Sequence, residues 1–323
     1  MNWQDYVDPT ILRDFTSATG LQVGYETYES NDALAQRLAA ADVTRKGGRK
    51  TTSFDLIVPS SNLFRQLRDA DALRKLDTEI VTETLLGNLD PALRRLDVDP
   101  GNAYAVPWAT GFTGIGYDST VFTTPPTWET FADATHKGKM SLLRERREAF
   151  AAALFALGKD PNSTSAADIT AAQEKLREFT ANASLNSATY LDDLAEGRLV
   201  MAQGFNTDVL QARKRNPKLA FTVPKEGGTR WVDLLCVPAS APNADGANRL
   251  IAYYLDPKVS AANAAYNLVA TGNQAAAEFV PKDVLEDPAV YPPEAVLSSL
   301  VFLKDLGEGE KLYETAWDGV AKA

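Results

Sequence analysis

The sequence predicts an α/β protein of two lobes, each a mixed, mostly parallel sheet flanked by helices, and three observations predict it. The chain has 323 residues, 45% of them hydrophobic, which is enough to bury a large core and exceeds the usual span of one domain. An apolar run, a short polar loop and a helix follow one another at 54–67, 139–158, 198–213 and around 232–238, the grammar of strands buried between helices. Two stretches, 103–122 and 227–238, are extended, lack a helical period and read as passages from lobe to lobe. The predicted lobes are 1–112 with 232–277 and 113–231 with 278–323, joined as a hinged clamshell whose cleft is lined by strand ends.

The first element is a helix: Asp8 caps it, Pro9 takes its first position, Ile11, Leu12 and Phe15 form its apolar stripe, and Gly20 stops it. "LQVGYETY" (21–28) alternates as a strand, and Asn31 caps a second helix with Leu34, Leu38 and Ala41 on one face. The basic, glycine-containing stretch 44–53 reads as a solvated loop. "FDLIVPSSN" (54–62) is an apolar strand ended by Pro59, with Ser60 and Ser61 at its carboxyl end and a helix from about Leu63 to Leu67. After the first passage, which contains Gly111, Gly114 and Gly116, Thr127 caps a new helix. "KMSLLRERREAFAAALFALG" (139–158) and "RLVMAQGFNTDVLQAR" (198–213) each run from strand to helix, and further helices fill 165–179 and 247–255. In "GGTRWVDLLCVP" (227–238) a turn leads into a strand whose period of two puts Trp231 and Asp233 on one face and Val232, Leu234 and Cys236 on the other.

Composition narrows the chemistry. A net charge of -10 argues against nucleic acid and anionic lipid and suits a cationic ligand. The single cysteine, Cys236, reads as a core residue and excludes an internal disulfide; the single histidine, His136, reads as a surface residue and leaves no other imidazole for a nucleophile to use. There is no Gly-Lys-Ser/Thr phosphate loop, no GxGxxG and no HExxH, so neither a metal nor a cofactor is expected. The longest apolar run, 148–158, is about half of what a bilayer span needs. "MNWQDYV" carries neither the basic nor the apolar part of a signal segment, as expected of a cytosolic protein or of an exported one in its mature form.

Several side chains have two readings. Asp233 is either a strand-end acid paired with an arginine such as Arg230, with Trp231 in the core, or one half of a cation site in which Trp231 is the other. Glu148 either complements the dipole of the helix it opens or binds a ligand. Trp3 and Tyr6 form a small satellite core or line a site, Ser60 is a turn residue or a contact, and Asp208 caps a helix or faces a ligand.

The stretches "NWQDYVDPTILRDFTSATGLQVGYETYESN", "FDLIVPSSN", "YAVPWATGFTGIGYD", "PTWETFAD", "REAFAAALFALG", "GFNTDVLQAR", "VPKEGGTRWVDLLCVP" and "YYLDPKVSAANAAYNLVATGN" span nearly the whole chain. In that order they resemble the bacterial periplasmic spermidine/putrescine-binding proteins, the solute receptors of polyamine ABC transporters. The resemblance implies the type II periplasmic-binding-protein fold, a polyamine such as putrescine or spermidine in the interlobe cleft, and transporter membrane subunits as partners. It also implies a monomer that is periplasmic or tethered as a lipoprotein to the outer face of the cell membrane.

Carried over by residue, the resemblance implies that Trp3 and Tyr6 are aromatic walls, that Ser60 faces the ligand, that Glu148 and Asp233 receive ammonium groups, and that Trp231 stacks along the methylene chain. Glu145 falls where some members keep an Asp, and Asp208 where putrescine-preferring members have one. Phe205 stands where a Trp is usual, Asn62 where spermidine receptors have an aromatic, Val269 and Leu303 where they have a Tyr and a Gln, and Gln4 in place of a small hydroxyl residue. These replacements remove polar contacts expected for a long triamine and leave the ligand's length open. Arg144, Arg146 and Arg147 beside Glu148 motivate the alternative of a zwitterionic or opine-like amine should one turn inward. An enzyme on the same architecture is the rival of another class.

Overall fold

The structure is a computed structural model that describes residues 1–3, 6–28, 31–43 and 54–321. The chain divides into two compact units, Met1–Thr110 with Val232–Leu285 and Gly111–Trp231 with Glu286–Ala323. Residues 111–112 therefore belong to the second unit and 278–285 to the first, on the other side from the expected bounds.

The strands, in chain order, are β1 Asn2–Trp3, β2 Thr27–Tyr28, β3 Ala105–Asp118, β4 Met140–Leu142, β5 Ala183–Leu185, β6 Met201–Phe205, β7 Leu219–Thr222, β8 Gly228–Cys236, β9 Ala270–Thr271 and β10 Leu300–Phe302. The helices are α1 Pro9–Thr19, α2 Asn31–Val43, α3 Ser61–Asp69, α4 Glu83–Leu86, α5 Pro91–Arg94, α6 Arg146–Ala156, α7 Ala166–Thr180, α8 Tyr190–Ala195, α9 Asn206–Arg215, α10 Ala244–Tyr254, α11 Pro257–Asn267, α12 Lys282–Leu285, α13 Glu294–Leu297 and α14 Glu310–Ala321. The main sheet runs β10-β8-β3-β6-β4-β5, with β7 and β9 also paired to β3. It is mixed: β4 lies parallel to β5 and β6, whereas β3 is antiparallel to β6, β7 and β9.

In the first unit α1 forms as its sequence dictates, with the Asp8 carboxylate accepting from the Thr10 N–H at 2.8 Å and Gly20 ending the helix at a left-handed φ of 74°. Two elements differ from expectation. Within 21–28 only Thr27–Tyr28 pair, in parallel with Asn2–Trp3, because most of the alternating side chains before them lie in solvent with no sheet to cover them. The apolar segment 54–60 does not enter a ladder but meets β8 through two antiparallel bridges, Ile57 to Cys236 and Ser60 to Asp233. Pro59 has no N–H to give, and the Val58 carbonyl is taken by the Trp3 indole N–H and the Tyr28 hydroxyl. Asn31 begins α2, and its side-chain oxygen accepts from the Ser60 N–H at 3.2 Å. The loop expected at 44–53 lies outside the described residues.

In the second unit α6 is buried from Ala149 through Phe155, between the sheet and helices α7 and α14. A helix apolar on every side is stable only in such a sandwich. Each large side chain sealed there, Phe150 and Leu154 among them, contributes about 1.5–3 kcal/mol. Thr127 opens a short 3₁₀ turn, Trp128–Ala132, through a reciprocal capping box with Thr130.

Candidate functional site

The first unit supplies a carboxylate held by hydroxyl groups. Asp233 on β8 is only 4% exposed. Its Oδ1 accepts from Ser60 Oγ at 2.6 Å and its Oδ2 from the Tyr6 hydroxyl at 2.8 Å. Burial raises its pKa from the ordinary carboxylate value to about 6, and the two hydroxyl donors hold back part of that rise. The Tyr6 and Trp108 rings meet near right angles at 5.2 Å between centroids, and Trp3 packs against Tyr28 at 4.7 Å while its indole N–H donates to Val58 O at 3.0 Å. Ser60 is oriented twice over, since its backbone is pinned by Asn31 and its side chain by Asp233.

Tyr6 is fixed from behind by two asparagines. Asn263 and Asn267, one helical turn apart on α11 and each 3% exposed, both donate to the Tyr6 carbonyl, Asn263 at 3.3 Å. Asn263 also accepts from the Asp8 N–H at 3.1 Å, which ties the start of α1 to the same helix. The sequence reading missed this pair. Its signal was two carboxamides at spacing four on an otherwise alanine-rich helix.

The second unit supplies further acids. Glu148, in the first turn of α6, has Oε2 accepting from Thr229 Oγ1 at 2.8 Å. Burial raises its pKa from 4.5 to about 7, against the Thr229 hydroxyl and, more weakly, that of Thr113, which lower it. Gln203, itself buried, donates to the Glu148 carbonyl at 2.9 Å and accepts from the Leu143 N–H at 3.2 Å, which locks strand β6 to the start of α6. Thr113, Gln203 and Thr229 line a narrow void beside Glu148 that Trp128 and Phe155 close. Asp208, in the first turn of α9, accepts from the Tyr190 hydroxyl at 2.7 Å, and burial raises its pKa too. Phe205 precedes α9 and stands edge-on to the Trp231 indole at 6.3 Å between centroids and 90° between planes. Tyr190, which orients Asp208 from a short helix, is a second residue that sequence pattern gave no means to find.

The remaining expected positions fall differently. Asn62 lies on α3, exposed, and its Oδ1 accepts from the Leu63 N–H at 2.8 Å. Glu145 is exposed at the N-cap of α6 and makes no capping hydrogen bond through its side chain. Val269 is buried and Leu303 packs on the core of the second unit, whereas Gln4 lies outside the described residues. The arginines near Glu148 are engaged elsewhere: Arg147 pairs with Glu310, donates to Lys304 O at 3.0 Å and lies over the Tyr313 ring at 4.7 Å. Arg146 reaches Glu310 at 3.6 Å and Glu314 at 3.5 Å. Arg144 is exposed.

Cys236 is fully buried in the first unit, and His136 in the second is half-buried against the Phe122 ring at 4.9 Å. Among the described residues no group of three or more His, Cys, Asp or Glu is placed to hold a metal ion, and no helix is long and apolar enough to cross a membrane.

Comparison with known proteins places this architecture. Residues 10–292 match the family of bacterial extracellular solute-binding proteins. The chain is 34% identical over 317 residues to the spermidine/putrescine-binding periplasmic protein of Salmonella typhimurium, covering 97% of this chain and 88% of that one. It is 34% identical over 325 residues to a putrescine-binding periplasmic protein of Escherichia coli, covering 94% and 85%. The solved structure of the spermidine/putrescine ABC transporter substrate-binding protein of Streptococcus pneumoniae superposes with a TM-score of 0.87 at 26% identity, covering 99% of this chain and 97% of that one. The chain belongs to the bacterial extracellular solute-binding proteins and has the two-lobed fold of the periplasmic receptors.

Proposed function

We propose that the protein is the solute receptor of an ABC importer and that its ligand is a small organic cation with two or more ammonium groups, putrescine or spermidine. The observation that carries this reading is that each unit holds a carboxylate whose hydrogen-bond partners are hydroxyl groups, the buried Asp233 in one and the half-buried Glu148 in the other. A buried acid with hydroxyl donors alone is undercompensated, as its raised pKa records, and an ammonium ion completes it. Ammonium groups are the complement that such carboxylates call for, and a diamine or triamine carries two or more of them.

The aromatic residues suit the rest of such a ligand. Trp231, Tyr6 and Trp3 offer flat faces for methylenes, and an ammonium within about 6 Å of such a ring gains roughly 0.5–2 kcal/mol once desolvated. The ion pairs of Arg146 and Arg147 with α14 favour an amine over a carboxylate-bearing ligand, because those guanidinium groups already have anionic partners. The named relatives support delivery to transporter membrane subunits and a periplasmic location. No covalent chemistry is part of this reading.

Isothermal titration calorimetry against putrescine, cadaverine, spermidine, agmatine and basic amino acids tests it. Tight binding of a diamine or triamine, with basic amino acids weaker by tenfold or more, is the expected outcome. Preference for a carboxylate-bearing ligand overturns it.

A further inference from the structure

Gly111 is the first residue of the second unit on strand β3, and its backbone is extended and buried. What surrounds it is unusual: a methyl group placed on its Cα would overlap Trp231 Cζ2 and Asn206 Oδ1 and stand 2.7 Å from Trp231 Cη2. The six-membered ring of the indole therefore rests directly on the Gly111 backbone, at a distance that no residue with a Cβ permits.

Asn206 cannot yield the space. It is 0% exposed, its Oδ1 accepts from the Phe112 N–H at 3.0 Å, and its Nδ2 donates to Ala289 O at 2.8 Å, so turning the carboxamide would orphan two buried backbone groups. The ring of Phe205 stands edge-on to the same indole. A side chain at 111 therefore strains against the fixed Asn206 and displaces the Trp231 indole.

From this geometry we infer that Gly111 is a positioning residue for amine binding: its bare backbone is the floor that sets how deep the Trp231 indole sits in the site. This rests on the reading of Trp231 as a wall for the amine. Glu148 and Trp231 bear on the same surface, because Thr229, which holds Glu148, and Trp231 are two apart on β8 and so share a face. A ring lifted off Gly111 changes the room beside that carboxylate.

The test is a double-mutant cycle on Gly111→Ala and Trp231→Phe, read by calorimetry with putrescine and spermidine and by melting temperature without ligand. A phenyl ring lacks the outer carbons that touch Gly111, so in the Trp231→Phe background a methyl at 111 meets Asn206 alone. Gly111→Ala alone is expected to weaken amine binding by tenfold or more, while in the Trp231→Phe background, where only the overlap with Asn206 remains, the loss is expected to be smaller by threefold or more. A folded Gly111→Ala protein that binds as tightly as the native one, or a penalty that persists undiminished in the Trp231→Phe background, overturns the inference. If Gly111→Ala is too unstable to titrate, a smaller loss of melting temperature from Gly111→Ala in the Trp231→Phe background than in the native one supports the contact, and an equal loss overturns it. If the native protein binds neither amine, the amine reading fails by itself, and additivity of the melting temperatures alone decides the Gly111–Trp231 contact.

Discussion

Asp233, buried, and Glu148, half-buried, are acids without an arginine or lysine in a salt bridge among the described residues, yet they are held in different ways. Asp233 sits on a strand, and each of its oxygens has its own hydroxyl donor, Ser60 and Tyr6, each fixed in turn by a further residue. Glu148 opens a helix, and the Thr229 hydroxyl donates to one of its oxygens, with Thr113 a weaker neighbour. Burial pushes Asp233 from 3.8 to about 6 and Glu148 from 4.5 to about 7, with hydroxyl groups holding back each rise and the neighbouring Glu145 adding to that of Glu148. Under the proposed function, Asp233 is the more ionised of the two at neutral pH before ligand arrives, while Glu148 completes its ionisation with an ammonium present. On that reading one is a standing anchor and the other is charged in part by the ligand.

The sharpest way to break that contrast is to remove each charge while keeping shape. Asp233→Asn is expected to weaken putrescine binding by more than tenfold, from the loss of a charge-assisted bond of about 1.5–3 kcal/mol. Glu148→Gln is expected to cost less at pH 7, because part of the native bond energy goes into ionising the acid. Titration of both variants side by side checks the order; equal losses would show that the two carboxyl groups are charged alike in the native protein.

Acid pH separates the two next. Amine affinity is expected to fall as pH drops through about 7 and again through about 6, where Glu148 and then Asp233 take up protons. The stability of the ligand-free protein moves the other way. Both folded pKa values lie above their ordinary values of 4.5 and 3.8, so the folded state holds more protons in that window and loses stability as pH rises through it. Melting temperatures from pH 5 to 8 read this, with Glu148→Gln flattening the upper part of the curve and Asp233→Asn the lower.

The smallest effects belong to the donors. Ser60→Ala and Tyr6→Phe each remove one hydroxyl worth about 1 kcal/mol, so each is expected to weaken binding a few-fold. Each also shifts the lower step of the affinity profile upward from about pH 6, since one donor then offsets burial alone. A profile that does not move would show that the hydroxyl groups only pack.

Local patterns were legible where chemistry is local. Asp8, Pro9 and Gly20 bound α1 as their types require, and the alternation in "WVDLLCVP" is enough to single out Trp231 and Asp233. Patterns that need a distant partner misled: "LQVGYETY" alternates, but only two of its residues find a strand, and "FDLIVPSS" is apolar because it is buried against β8 without joining a ladder. Asn263, Asn267 and Tyr190 were invisible for a related reason. Each acts on a residue far along the chain, and a single sequence records no such distance. Gly111 was visible as one glycine of three in an extended stretch, but only the indole lying on it gives the reason for its kind.

Strand β8 carries Thr229, Trp231 and Asp233 at successive positions of one face, about 6.6–7 Å apart. That spacing is indifferent to which residues occupy the three positions but not to their count. Inserting or deleting one residue among them would turn part of the set toward the opposite face. Descent with modification can thus retune this receptor by exchanging side chains, whereas a change of length within these few codons erases the register on which every exchange depends.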